Sequence, residues 1–466
     1  MARRAADATE QQAGGGRTRA VAAEVWRGAA MKLRRVVWGA LIAFGVLVVA
    51  WVTLLAREFA TSALPASAGN LAATAAQIER GEYLARIGNC AGCHTARGGE
   101  AYAGGRAVDT PFGAVYAGNL TPDRATGIGD WSSDAFYRAL HEGRSRDGRM
   151  LYPAFPYPNF TQITREDSDA IYAYLMNRVA PVHRVNTAHA LTFPYDSSLA
   201  LAMWRLLYFK PASLQVDTSQ SAAWQRGAYL VQGLAHCGAC HSTRNALGAP
   251  LAGHAYDGAM MPLNDWYAPS LTARDEASVA DWPLADIARW LQSGTSPQGA
   301  AFGPMAEIVF QSTQYLSNDD ALAMATYLKA LPVTRGVAFK PSPQTVSSGR
   351  TAAADRGSAL YKEHCAGCHG KDGEGKAGAY PALAGNRTVL MANTTNLYRV
   401  VLSGGFAPAT AGNPQPHGMP PFYHLLGDDD LTALLNYVRS AWGNNAPAIT
   451  TLDLIHYRDA LRSTQH

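Results

Sequence analysis

The chain has 466 residues, long for a single core, and only 16% are charged, against roughly a quarter in an average soluble protein, while Gly (44) and Pro (25) are plentiful. Residues 1–35 hold eight Lys/Arg against three Asp/Glu, a surplus of +5, so the formal net charge of +4 leaves −1 for everything downstream. That excludes a basic body of the kind nucleic-acid binding needs, and no nucleic-acid partner is expected.

Met31-Lys-Leu-Arg-Arg reads as a natural translation start, so residues 1–30 are expected to be an extension that carries no function. Directly behind the basic residues, 36–56 contain no charge over 21 positions, enough to span a bilayer as one helix. Lys32, Arg34 and Arg35 then predict a cytoplasmic segment 1–35, a transmembrane helix 36–56 and an exported body. A cleaved signal peptide ending near Ala66-Ser-Ala68 is the alternative, but this apolar stretch exceeds the roughly 7–15 residues of a signal core.

All six cysteines fall in three copies of one pentapeptide: Cys90-Ala-Gly-Cys93-His94, Cys237-Gly-Ala-Cys240-His241 and Cys365-Ala-Gly-Cys368-His369. In C-x-x-C-H both thiols can add to the haem vinyl groups, and the adjacent His can ligate the iron. Half a zinc site or a redox dithiol would explain one C-x-x-C, but neither explains a His after every pair. Three covalently bound haem c groups are expected.

Each pentapeptide sits in a similar frame. An Arg-Gly pair opens a short amphipathic helix before it, at Arg80-Gly81, Arg226-Gly227 and Arg356-Gly357. A Gly/Pro-rich stretch follows, then a second helical segment closed by glycine, at 130–143, 281–294 and 396–404. A capped third helix comes last, over 164–176, 317–331 and 427–442, with Tyr174, Tyr327 and Tyr437 at matching places as expected core residues. The layout predicts an all-α chain of three tandem domains at 76–185, 222–333 and 353–445, followed by a C-terminal tail, 446–466. The linker 334–352 reads as flexible, while 186–221, with Trp204, Tyr208 and Phe209, is too aromatic to be loose and is expected to pack between domains.

A haem that only carries electrons usually has both axial positions filled, so each repeat needs a sulfur or imidazole downstream. Met419, in Gly418-Met-Pro-Pro and 50 residues after His369, is the third candidate, with His417 a competitor. Met305, in Gly303-Pro-Met and 64 residues after His241, is the second; Met260 and Met261 come too early. In the first repeat Phe155 occupies the Pro-flanked place expected for the sulfur. Met150, 56 residues after His94, is then the candidate, with an open iron or His141 as alternatives.

The arrangement resembles the class I cytochrome c fold three times over. Phrases such as Thr110-Pro-Phe-Gly-Ala-Val-Tyr116, Asn119-Leu-Thr-Pro-Asp123 and Gly303-Pro-Met-Ala-Glu307 resemble the three-haem cytochrome c subunits of membrane-bound bacterial periplasmic dehydrogenases. The resemblance implies an electron conduit with no catalytic residues of its own. Electrons would come from a separate dehydrogenase subunit and leave to ubiquinone or another respiratory acceptor. It also implies an inner-membrane protein crossing once, with its haem domains in the periplasm. Phe155 looks more like subunits paired with molybdopterin/iron–sulfur enzymes, aldehyde dehydrogenases among them, than like those of quinoprotein alcohol dehydrogenases. A self-contained haem enzyme such as a peroxidase is the reading from a different class, but no acid/base array is evident around Phe155.

Overall fold

The computed structural model describes residues 26, 32, 34–66, 73–261, 265–335 and 352–463. These fall into two units, residues 1–61 and 62–466. The first is dominated by one helix, Arg34–Phe59, which at 1.5 Å per residue is about 39 Å long and exceeds the roughly 30 Å hydrocarbon thickness of a bilayer. It begins and ends beyond 36–56 because helical geometry continues through flanking Arg34, Arg35, Arg57 and Glu58. The rest of 1–33, apart from Trp26 and Lys32, lies outside the described residues.

In the second unit a three-helix frame occurs three times. The opening helices are Ala75–Ile87, Ala222–Ala228 and Ala352–His364. The middle helices are Ser133–Glu142, Leu284–Ser293 and Thr395–Ser403. The closing helices are Arg165–Arg178, Asn318–Lys329 and Asp428–Ser440. Opening and closing helices cross at the glycine of each Arg-Gly pair. A Cβ placed on Gly81, Gly227 or Gly357 would overlap the carbonyl oxygen of Ala170, Ala323 or Ala433, respectively, and press on the Cβ of Tyr174, Tyr327 or Tyr437 at 2.8–2.9 Å. Glycine is thus required by the approach of two backbones. The preceding arginine locks the crossing, since Arg80, Arg226 and Arg356 pair with Asp167, Asp320 and Asp430 near the start of the closing helices. In the first two repeats that aspartate's N–H also donates to the capping hydroxyl of Thr164 or Ser317.

The first two repeats share one hydrophobic core, in which Leu84, Ile87, Ile171, Leu175, Leu230, Leu234, Ile287 and Met324 are almost wholly buried. Their joint is reciprocal: Tyr229 of the second donates to Asp167 of the first at 2.7 Å, and Tyr83 of the first donates to Asp320 of the second at 2.6 Å. The third repeat has a core of its own, around Leu360, Tyr361, Leu402, Leu431 and Leu434.

Three features differ from the sequence expectation. The chain is not purely helical: two- to four-residue antiparallel strands pair at Ala107–Thr110 with Gly113–Tyr116, Ala259–Met261 with Trp266–Ala268, Thr295–Ser296 with Gly299–Ala300, and Gly405–Phe406 with Gly418–Met419. Gly-rich loops folded back on themselves must satisfy their backbone groups locally, and short ladders do so. The second opening helix continues as a π-helix, Tyr229–Leu234, because Arg226 and Cys237 are 11 residues apart where Arg80 and Cys90 are 10, and the wider turn absorbs the extra one. The C-terminal segment 446–466 packs on the third repeat over its described part. Helix Thr451–Ser463 lies against the third repeat, with Leu454 in its core and Arg458 donating to the carbonyls of Tyr423 and Leu426. The linker 186–221 packs between repeats as its aromatic residues predict: it forms helix Ser198–Tyr208, whose Arg205 donates to Glu142 O and whose Trp204 donates to Leu247 O, tying the first two repeats together. Most of the second linker, 336–351, lies outside the described residues.

Candidate functional site: three cysteine–histidine turns and their cavities

Each pentapeptide forms a single helical turn: Cys90–His94, Gly238–His241 with Cys237 as its cap, and Ala366–His369 with Cys365 as its cap. Helical spacing puts the first cysteine and the histidine, four residues apart, on one face. Burial pushes the thiols of Cys90 and Cys237 up to about 12 and that of Cys365 up to about 11. Cys93 and Cys240 are raised by the same cause. Among the described residues no three His, Cys, Asp or Glu side chains gather as a metal cluster.

The three histidines are oriented identically. Nδ1 of His94 meets Gly118 O at 2.7 Å, that of His241 meets Pro269 O at 2.8 Å, and that of His369 meets Pro381 O at 2.9 Å. A carbonyl accepts, so Nδ1 carries the proton and Nε2 presents its lone pair. Burial lowers the affinity of all three rings for a second proton, only partly offset by the carbonyl. This donor set fits a covalent haem: two thiols, then a neutral imidazole fixed by an outer hydrogen bond with the ligating nitrogen free. Sequence reasoning missed those three carbonyls. Their signal was present: a leucine follows two residues later each time, at Leu120, Leu271 and Leu383.

One cavity of about 460 Å³ is lined by Cys237, His241 and Met305 of the second repeat and by Cys365, His369 and Met419 of the third. Its further walls are largely apolar, with Trp266, Trp282 and Trp290 prominent. The structure therefore brings Met305 and Met419 to the cavity that holds their histidines. Met261 and His417 line it as well, His417 lying 4.7 Å, centroid to centroid, from the ring of Tyr380. Met260 is half exposed.

In the first repeat, Met150 is buried in the hairpin that follows the middle helix. The hairpin is closed by Leu151 N–H to Gly143 O, matching Ala301 N–H to Gly294 O in the second repeat. Four residues beyond these closures stand Phe155 and Met305, so phenylalanine holds the register that carries sulfur in the second repeat. Phe155 packs on Phe160 at 5.5 Å and Tyr157 at 6.3 Å. His141 stacks on Tyr137 at 5.0 Å, and its buried Nδ1 has no hydrogen-bond partner among the described residues.

The pentapeptides and their histidine geometry define a c-type cytochrome. The family model for cytochrome c matches residues 78–178 and 354–442, covering the first and third repeats. Over the longer chain, the cytochrome c subunit of alcohol dehydrogenase (quinone) from Gluconobacter oxydans is 38% identical across 382 residues, 80% of each chain. The gluconate 2-dehydrogenase cytochrome c subunit of Pantoea cypripedii is 36% identical over 81% of this chain and 88% of its own. A nicotinate dehydrogenase subunit from Pseudomonas putida is 41% identical over 80% of this chain and 31% of its own. The chain belongs to this family, the electron-transferring cytochrome c subunits of dehydrogenase complexes, and is not the catalytic subunit.

Proposed function

We propose that the chain carries three covalent haem c groups and passes electrons from a periplasmic dehydrogenase subunit toward ubiquinone or the respiratory chain. The observation that carries this reading is the threefold recurrence of a paired-cysteine turn whose histidine donates from Nδ1 to a carbonyl, which leaves Nε2 of the neutral ring unprotonated. Cys90 and Cys93, Cys237 and Cys240, and Cys365 and Cys368 are the proposed thioether attachments. His94, His241 and His369 are the proposed proximal ligands, opposed by Met150, Met305 and Met419. Bound haem supplies a one-electron iron couple, and thioether sulfur opposite imidazole raises its potential. The protein's part is to hold those ligands, keep water from the apolar cavity walls and set the local charge. Met150 is the proposed sulfur of the first site because it is buried in the same loop, although Phe155 stands in the register of Met305.

The three repeats correspond in this reading to class I cytochrome c domains at 76–185, 222–333 and 353–445. Helix Arg34–Phe59 is the proposed single inner-membrane anchor, with the basic N-terminus cytoplasmic and the haem domains in the periplasm. The favoured catalytic partner is a molybdopterin/iron–sulfur dehydrogenase of the aldehyde-oxidising type, supported by Phe155. A quinoprotein alcohol dehydrogenase is the second reading, favoured by the similarity to relatives named as cytochrome c subunits of alcohol dehydrogenase (quinone). Affinity purification from solubilised membranes, with cofactor analysis of whatever large subunit comes down, separates the two. Molybdenum and iron–sulfur iron support the first, a quinone prosthetic group the second, and purification without any dehydrogenase rejects both.

A further inference from the structure

The first two repeats meet at their haem turns. Helix Gly303–Gln311, which carries Met305, lies over the first turn, where Ser312 Oγ donates to Ile87 O at 2.8 Å and Gln311 Oε1 sits against Gly92. Arg106 reaches across the same joint. Its Nη1 donates to Gly92 O, inside the first pentapeptide, at 2.5 Å, and its Nη2 meets Glu307 Oε1 at 2.9 Å. Gln311 Nε2 donates to the same Glu307 oxygen at 3.1 Å. Arg106 thus touches the first pentapeptide with one nitrogen and the helix that carries Met305 with the other.

The second turn is charged differently. Arg244 donates to Ala239 O, inside the second pentapeptide, at 2.7 Å and to Gly248 O at 2.6 Å. Among the described residues no carboxylate stands within ion-pair distance of it. Counting from Tyr102 and Tyr256, which share a left-handed backbone conformation, and from Gly104 and Gly258, the residue matching Arg106 is the uncharged Met260.

We propose that Arg106 and Glu307 act as an electrostatic coupler between the first two haem sites, with Glu307 cancelling at the first site the kind of positive charge that Arg244 leaves uncancelled at the second. Resting on the three-haem reading above, this assigns the three residues a tuning role: they hold the first centre at a lower potential than the second, so that electrons pass from first to second. Positive charge beside an iron favours its reduced form, which carries one charge fewer. Removing Arg106 therefore lowers the first potential, removing Glu307 raises it, and removing Arg244 lowers the second.

Potentiometric titration of the full chain in detergent, followed through the haem spectrum, tests this. The second and third centres are first assigned with M305A and M419A. Expected are a downward shift of the lower-potential partner in R106Q, an upward shift of the same centre in E307Q, near cancellation in the double variant and a downward shift of the second centre in R244Q. The third centre stays in place, R106K stays near the parent, and all shifts shrink at high salt because both partners of the pair are partly exposed. A structural clamp alone would move R106Q and E307Q in the same direction. Same-sign shifts, no shifts, or R106K behaving as R106Q would overturn the proposal. Haem content of the parent protein is a separate readout: fewer than three attached groups refutes the function reading rather than this one.

Discussion

Asp320 is the residue on which the joint of the first two repeats turns, and Asp320→Asn tests that joint. The carboxylate accepts from Arg226 Nε and Nη2 at 2.8 Å each and from Tyr83 Oη at 2.6 Å, one partner from its own repeat and one from its neighbour. Its side chain is 12% exposed and that of Arg226 is 30% exposed. Hydrogen bonds to charged groups contribute about 1.5–3 kcal/mol each but do not add, and the guanidinium stranded by the change recovers some water, so a loss of about 2–4 kcal/mol is expected. For a cooperative unit of roughly 250 residues this lowers the melting temperature by roughly 5–15 °C. Desolvation opposes ionisation of Asp320, but hydrogen bonds from Arg226 and Tyr83 outweigh it and hold the carboxyl below the usual carboxylate range. Its contribution is therefore full above the unfolded value of about 3.9 and is lost as the pH falls through the lower folded value. Tyr83 works at the other end. Burial and Asp320 push its phenol up to about 12, so its contribution holds below about 10 and fades as the pH rises toward 12. The assay is thermal unfolding of parent and D320N at pH 7 and at pH 3. A difference under about 2 °C at pH 7, or one that persists unchanged at pH 3, would refute the reasoning. The more exposed counterpart Asp430, which in the third repeat accepts from Arg356 and, among the described residues, from no tyrosine of a neighbour, is the control, and D430N is expected to lower the melting temperature less than D320N does.

Gly227→Ala forces a methyl group into the Ala323 carbonyl and the Tyr327 Cβ, and is expected to lower soluble, haem-loaded yield severalfold, while Gly427→Ala, with open space around it, leaves yield unchanged. Met419→Ala and Met305→Ala are each expected to remove part of the oxidised thioether-to-iron absorption band; an unchanged spectrum rejects that ligand. Met150→Ala removes a further part if Met150 ligates the first iron, and an unaltered band there assigns the first centre to another ligand. Carbon monoxide added to the reduced parent protein is expected to bind weakly at every centre, and strong binding at one would favour the self-contained enzyme.

Much of the site was written in spacing because covalent chemistry leaves little freedom. Two thiols and an imidazole must come from one helical turn, so Cys90, Cys93 and His94 and their repeats are contiguous in sequence. The Arg-Gly pairs were equally legible, since a helix crossing that tolerates no Cβ needs glycine at one position and places Tyr174, Tyr327 and Tyr437 opposite it. Apart from the packing of the aromatic linker 186–221, contacts between repeats were not legible. Tyr83 looks like any half-buried aromatic until Asp320, 237 residues away, is brought to its hydroxyl. Arg106 and Glu307 likewise read as surface charges in separate segments. The packing of 446–466 was not legible because Leu454 and Arg458 find their partners only on the folded third repeat. The strands escaped notice because two to four residues carry no period to detect.

The central claim is that this polypeptide holds three iron porphyrins through thioether bonds. Intact mass of the denatured, purified chain, paired with haem staining on a denaturing gel, measures it directly. The predicted result is a mass increment of three haems that survives denaturation, reduced to two when Cys237 and Cys240 are both replaced by alanine. An increment of two or fewer in the parent, or staining lost on denaturation, would contradict it.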